Sequence, residues 1–252
     1  MFFSYDHLTF RYEPFPIGLA KPLMVESIYQ EFLDNYPPLE LFQTLPKVGN
    51  KYSLSEKFNR QQYQDLIRSP GVWREFYHWI KSDAFITGVM KSLQAHYIDL
   101  GYQTSSPTVR RLLKQLKTLG RLRLSGRDAK LRARFEFSML PANGGHVLPH
   151  TDAPSKIVTL IVSMMREGEW NPGFGGGTDV NRPKATQYCF NQLNRKAGFE
   201  DMEILDTYAF TPNQAVIFVK TFNSWHSVRP MTGPDALTMR KTLTINIENT
   251  GN

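Results

Sequence analysis

Two periodicities divide this chain. In the first half, apolar residues recur at helical spacing: Leu23, Ile28, Phe32 and Leu33 lie between Pro22 and Tyr36, and Pro37 and Pro38 mark the stop. Gln61 to Ile67, Val72 to Ile80 and Asp83 to Tyr97 read as three further helices. The last two carry Trp73, Phe76, Tyr77, Trp79, Phe85, Val89, Leu93 and Tyr97. Aromatics at that spacing form a buried face before they form a ligand box. Ahead of the helices, His7 to Tyr12 alternates weakly, as an edge strand does, and leads into the turn-rich EPFPIGLAKP. Pro38 to Phe58 carries no clear period.

From Leu131 onward the period shortens to two. Arg132, Arg134, Glu136 and Ser138 alternate with Ala133, Phe135, Phe137 and Met139, which predicts a strand with two unlike faces. PANGG turns the chain, and Lys156 to Met165 follows as a β-branched, buried strand. Arg166 to Asp179 is a glycine-rich loop, Ala215 to Val219 a second buried strand and Arg240 to Ile247 the last. Helices first and strands afterwards predict an α+β protein with a mainly β core, a barrel or sandwich flanked by N-terminal helices. At 252 residues a single domain is expected, mainly helical over 1–130 and β-rich over 131–252.

Composition adds three constraints. A single cysteine, Cys189, rules out an intramolecular disulfide and points to a reducing compartment. The first residues lack a basic start followed by a long apolar run, and no stretch reaches bilayer-spanning length, so a soluble, cytoplasmic protein with no membrane partner is expected. The net charge of +7 is uneven, because Arg110 to Arg134 holds ten Lys or Arg against one acid, Asp128. Within it, Val109 to Leu119 predicts a basic helix closed by Gly120. Such a run is a solvated face or an anion-binding one. No aromatic interleaves it to stack on bases, which disfavours a nucleic-acid partner.

The candidate chemistry lies in GHVLPHTDAPSKIVTLIVSMM. His150 and Asp152 stand two residues apart, and in extended backbone such side chains project to one face. A metal ion held there needs a third donor from elsewhere, and His226 in SWHSVRP is the natural one. Two histidines and one carboxylate form the facial triad of non-haem Fe(II) oxygenases. His146 is a weaker alternative to His150, since four residues along a strand separate it by about 13 Å. Asp179 is a spare carboxylate without a neighbouring histidine, and His78 and His96 sit inside helices without partners at ligand spacing. In the last strand, Arg240, Thr242, Thr244 and Asn246 share a face opposite Leu243, Ile245 and Ile247. If that face looks inward, Arg240 requires an anion: a distant Asp or Glu, or a bound dicarboxylate, with Thr242 offering a hydroxyl to the same group.

Taken together, the HTD triplet, KIVTLIVSMM, the GFGGGTD turn, FTPNQAVIFVKTFNSWHSVRPMTG and RKTLTINI resemble the core of the Fe(II)/2-oxoglutarate-dependent dioxygenases, in the prolyl 4-hydroxylase-like branch. The resemblance spans about Leu131 to Ile247. It implies a double-stranded β-helix of the jelly-roll or cupin-like kind. It also implies iron held by His150, Asp152 and His226, and 2-oxoglutarate held by Arg240 and Thr242. The implied reaction uses O2 to hydroxylate a C–H bond while 2-oxoglutarate is decarboxylated to succinate, with desaturation or ring closure as variants. Where many members carry a tyrosine near the strand before the triplet, this chain has Ser138, Met139 and Leu140.

The substrate is less legible. A small molecule, an amino acid or a peptidyl residue fits the resemblance, and Asn223, Trp225 and Arg134 are the candidate contacts, the arginine favouring an anionic substrate. A non-catalytic jelly-roll binding protein is the alternative, and a nucleic-acid demethylase a weaker one. Members of that last group carry a second arginine six residues after the first, where this chain has Asn246.

Overall fold

The computed structural model describes residues 1–102, 131–189, 191 and 194–250. The basic helix expected at Val109 to Leu119 lies outside them. In chain order the first half comprises β1 (Leu8–Arg11), β2 (Ile17–Ala20), α1 (Glu26–Asp34), β3 (Gln43–Leu45), β4 (Lys51–Ser55), α2 (Arg60–Arg68), α3 (Val72–Ile80) and α4 (Asp83–Ala95). The second half comprises β5 (Leu131–Pro141), β6 (Val147–His150), β7 (Lys156–Ser163), β8 (Thr178–Pro183), β9 (Met202–Tyr208), β10 (Ala215–Val219), β11 (His226–Val228) and β12 (Met239–Asn249).

The strands form two antiparallel sheets. One has eight strands in the order β1-β2-β10-β7-β12-β5-β4-β3, the other four in the order β6-β11-β8-β9. From β5 onward the chain passes back and forth between them, with the β8–β9 hairpin staying in the small sheet. β5, β7, β10 and β12 enter the large sheet, and β6, β8, β9 and β11 enter the small one. Phe15, Ile17, Val216 and Phe218 of the large-sheet side pack on Val180 of β8, so the two sheets face each other.

The helices cover the other face of the large sheet. Trp73, Phe76 and Ile80 recur at three- and four-residue steps on α3 and are buried. Trp73 meets Phe137 of β5 edge-on at 4.5 Å, and Phe76 meets Phe135 at 5.2 Å. Leu243, Ile245 and Ile247 of β12 belong to the same cluster and are fully buried. Each such side chain contributes roughly 1.5–3 kcal/mol by leaving water. The opposite face of β12 is thereby committed to the space between the sheets. Ser82 caps α4 by accepting from the Phe85 N–H, and Asp83 follows in the first turn.

Some boundaries differ from the periodicity. The first helix begins at Glu26 and not Pro22, because the N–H groups of Leu23 and Met24 donate to the backbone and side-chain oxygens of Asn213 and hold that segment extended. The unperiodic stretch before Phe58 contains β3 and β4, and β4 extends the large sheet by pairing with β5. EPFPIGLAKP contains β2, which is paired on both sides, to β1 and β10.

Candidate active site

The register of the small sheet creates the site. β6 and β11 run antiparallel with His150 directly opposite His226, and opposed residues in such a pair bring their side chains close. The ring centroids are 4.4 Å apart. Asp152 lies two residues past His150, and its carboxylate turns back toward the pair. One ligand atom from each of His150, Asp152 and His226 lies within 4.8 Å of the others. Phe218 of β10 stacks on the His226 ring at 4.2 Å and fixes its plane.

Hydrogen bonds select which atoms are free. His150 Nδ1 lies 2.8 Å from the Leu148 carbonyl, and His226 Nδ1 lies 3.0 Å from that of Ser224. A carbonyl only accepts, so each Nδ1 carries the proton and each Nε2 keeps its lone pair for a metal. Asp152 accepts from Lys156 Nζ at 2.5 Å and from Thr159 Oγ1 at 2.6 Å. Burial would raise its carboxyl, but the Lys156 ammonium and the two imidazoles prevail and hold it below the usual carboxylate range. Burial, helped by the neighbouring His226, pushes His150 down to about 3, and burial lowers His226 as well. The result is two neutral imidazoles beside an ionised carboxylate, the protonation state that a divalent metal requires. The donor set suits Fe(II).

This electrostatic arrangement sets a pH dependence. Metal affinity should fall less steeply from about pH 7 to about pH 5 than at a site built of ordinary histidines, since burial holds His150 at about 3 and lowers His226 as well. The metal-free fold should lose stability over the same interval. Its unfolded histidines, with ordinary values near 6.5, bind protons that the folded ones do not, and stability therefore falls with pH. Cobalt titrations and thermal melts at stepped pH check both.

Arg240 opens into the same cavity, of about 130 Å³, together with Thr242 and Thr244 from its own strand face. Its side chain is 5 % exposed. Nε donates to the Gly176 carbonyl at 2.6 Å, and the guanidinium lies over the Phe210 ring at 4.5 Å. Among the described residues no carboxylate forms an ion pair with it. Burial lowers its pKa to about 10, so it remains a cation at neutral pH. Gly176, with φ of +84°, lies against Trp170, Met231 and Arg240. A Cβ there would come within 3.3 Å of Arg240 Cδ, so the turn places a bare carbonyl where the guanidinium needs an acceptor.

No protein-family model and no curated protein matches the sequence. Solved structures do match. A Pseudomonas putida prolyl-4-hydroxylase aligns at 13 % identity over 83 % of this chain and 78 % of its own, with a TM-score of 0.40. A 2OG-Fe(II) oxygenase family oxidoreductase from Burkholderia pseudomallei aligns at 15 % identity over 57 % of each chain, with a TM-score of 0.29. IDO from Bacillus thuringiensis aligns at 13 % identity over 57 % of this chain and 62 % of its own, with a TM-score of 0.34.

The three expected substrate contacts lie elsewhere. Arg134 pairs with Glu248 at 2.8 Å. Asn223 donates to the Pro14 carbonyl and accepts from Thr221, so it builds a turn. Trp225 is fully buried against Ala197 and Met202, and its indole N–H donates to the Tyr188 carbonyl. None of the three lines the cavity. Trp225, one residue from His226, points to the other side of the chain, Asn223 belongs to the turn before β11, and Arg134 lies on the cavity-side face of β5 but is engaged by Glu248 farther along the sheet. His146 lies outside the triad, its Nδ1 held at the Gly144 carbonyl. Asp179 is buried in a two-point ion pair with Arg229.

Other cavity residues escaped sequence reasoning. Lys51 of β4 lines the pocket and pairs with Glu136, and Lys156 and Thr159 hold Asp152. The four-residue step from Asp152 to Lys156 is a visible signal for that pair. Nothing local marks Lys51 or Phe210, which tertiary packing brings in.

Proposed function

We propose that this chain is an Fe(II)- and 2-oxoglutarate-dependent dioxygenase that hydroxylates a C–H bond of a small molecule, amino acid or peptidyl residue. One observation carries the reading. A two-histidine, one-carboxylate cluster and a buried guanidinium without a carboxylate share one cavity. A buried cation without a counter-charge is costly unless an anion joins it. The passage of β5 to β12 back and forth between two facing sheets, with a β8–β9 hairpin in one of them, is read as a double-stranded β-helix, with the triad at one end of its interior.

In this reading His150 and His226 bind iron through Nε2 and Asp152 through one carboxylate oxygen. Lys156 and Thr159 keep that carboxylate oriented. Arg240 would hold the distal carboxylate of 2-oxoglutarate, and Thr242 would offer its hydroxyl to the same group. Leu140, Val147, Ile161 and Val228 line the cavity between the two ends and exclude water. Bound iron supplies the coupling of 2-oxoglutarate decarboxylation to oxidation of the substrate by O2. The remaining task of the protein is to keep co-substrate and substrate in fixed orientation.

Anaerobic addition of Fe(II) and then 2-oxoglutarate should produce a weak visible charge-transfer band, and admission of air should release succinate. Absence of both would leave a non-catalytic binding protein as the better description.

A further inference from the structure

A second cavity, of about 680 Å³, lies on the helical side of the large sheet, away from the triad. Its walls follow from helical geometry. Arg60, Gln64, Ile67 and Arg68 recur at three- and four-residue steps on α2, and Arg74, Tyr77 and His78 do so on α3, so each set shares one helix face. These faces border one cleft, and Arg132 from the start of β5 joins them. Four arginines thus meet a single acid, Glu56, which is already engaged by both Lys81 and Arg132. Among the described residues Arg60, Arg68 and Arg74 form no ion pair. Like charges gathered across two packed helices repel, and in the absence of an anion they lower stability.

A second feature of the cleft points to a ligand. Tyr63 lines it and is 0 % exposed, yet among the described residues its hydroxyl has no hydrogen-bond partner. Buried polar groups are nearly always satisfied, so an orphaned donor at the floor of a cationic cleft marks a place where an acceptor belongs. The volume falls in the range of small-molecule sites.

We propose that this cleft is a binding site for a phosphate-bearing small molecule, separate from the metal site. Guanidinium forks from both helices would grip the phosphate oxygens, with the Tyr63 hydroxyl donating at the base. The proposal stands independently of the oxygenase reading, since it uses no residue of the triad cavity.

Calorimetric titration of the full chain with pyrophosphate tests it. The paired variant Arg60→Gln with Arg74→Gln, both at exposed positions, should remain folded and bind about tenfold more weakly or worse, whereas Arg240→Ala should bind as the parent does. Tyr63→Phe should also bind more weakly, and it should melt at or above the parent temperature without ligand, because it removes an unsatisfied buried hydroxyl. Parent-like affinity in the paired variant, loss of binding in Arg240→Ala, or tighter binding of a single-stranded oligonucleotide than of pyrophosphate that survives the paired substitution would each overturn the proposal.

Discussion

Replacing Asp152 by alanine is expected to abolish metal binding. The two imidazoles that remain offer only two of the three donors, and since loss of a mere hydrogen-bonding partner to a ligand lowers affinity about 10–100-fold, loss of the carboxylate itself should lower it by more than about 100-fold. The substitution also strands its neighbours. Lys156 loses the partner it donates to at 2.5 Å. Lys220, whose ammonium is buried with no hydrogen-bond partner among the described residues, is disfavoured by burial and loses the carboxylate charge that opposes that effect. Breaking a buried pair costs about 3–5 kcal/mol, and the lower end applies because Lys156 can turn its head toward water. Asp152→Asn preserves the shape and the Thr159 contact while removing the charge, so it separates the two effects. Cobalt titration alongside thermal melting should show both variants failing to bind metal while remaining folded. Retention of parent-like affinity by either would disprove the triad.

Arg240→Ala is expected to have the opposite profile. Metal affinity should be unchanged, since Arg240 makes its contacts with Gly176 and Phe210 and not with the triad. The concentration of 2-oxoglutarate required for the charge-transfer band should rise by about 30-fold or more, in line with the 2–5 kcal/mol lost when one partner of a buried charge pair is truncated. Without ligand, the variant should melt no lower than the parent, because it sheds a buried cation with no carboxylate partner. Arg240→Lys should not rescue binding, since an ammonium cannot reproduce the fork. An unchanged 2-oxoglutarate requirement would assign the guanidinium a purely structural role.

The sequence could be read wherever a local period or a fixed spacing carries the information. The alternation in RKTLTINI placed Leu243, Ile245 and Ile247 against the helices and Arg240, Thr242 and Thr244 toward the cavity, as found, because side chains on a strand can only go one way or the other. The step from His150 to Asp152 was legible for the same reason. β11 was not, because three residues are too few to show a period, and β9 was not, because only Met202 of its seven residues is buried.

What the sequence determined by itself is therefore the set of amphipathic elements and the residue types able to hold a divalent metal and an anion. Only the tertiary structure decided that His226 faces His150 across β6 and β11, that no carboxylate among the described residues answers Arg240, and that Arg134, Asn223 and Trp225 are engaged by Glu248, by a turn and by packing outside the cavity. The physical reason is that period and spacing act over a few residues. Strand register, by contrast, and the presence or absence of a counter-charge depend on segments separated by many residues, which meet only when the two sheets close on each other.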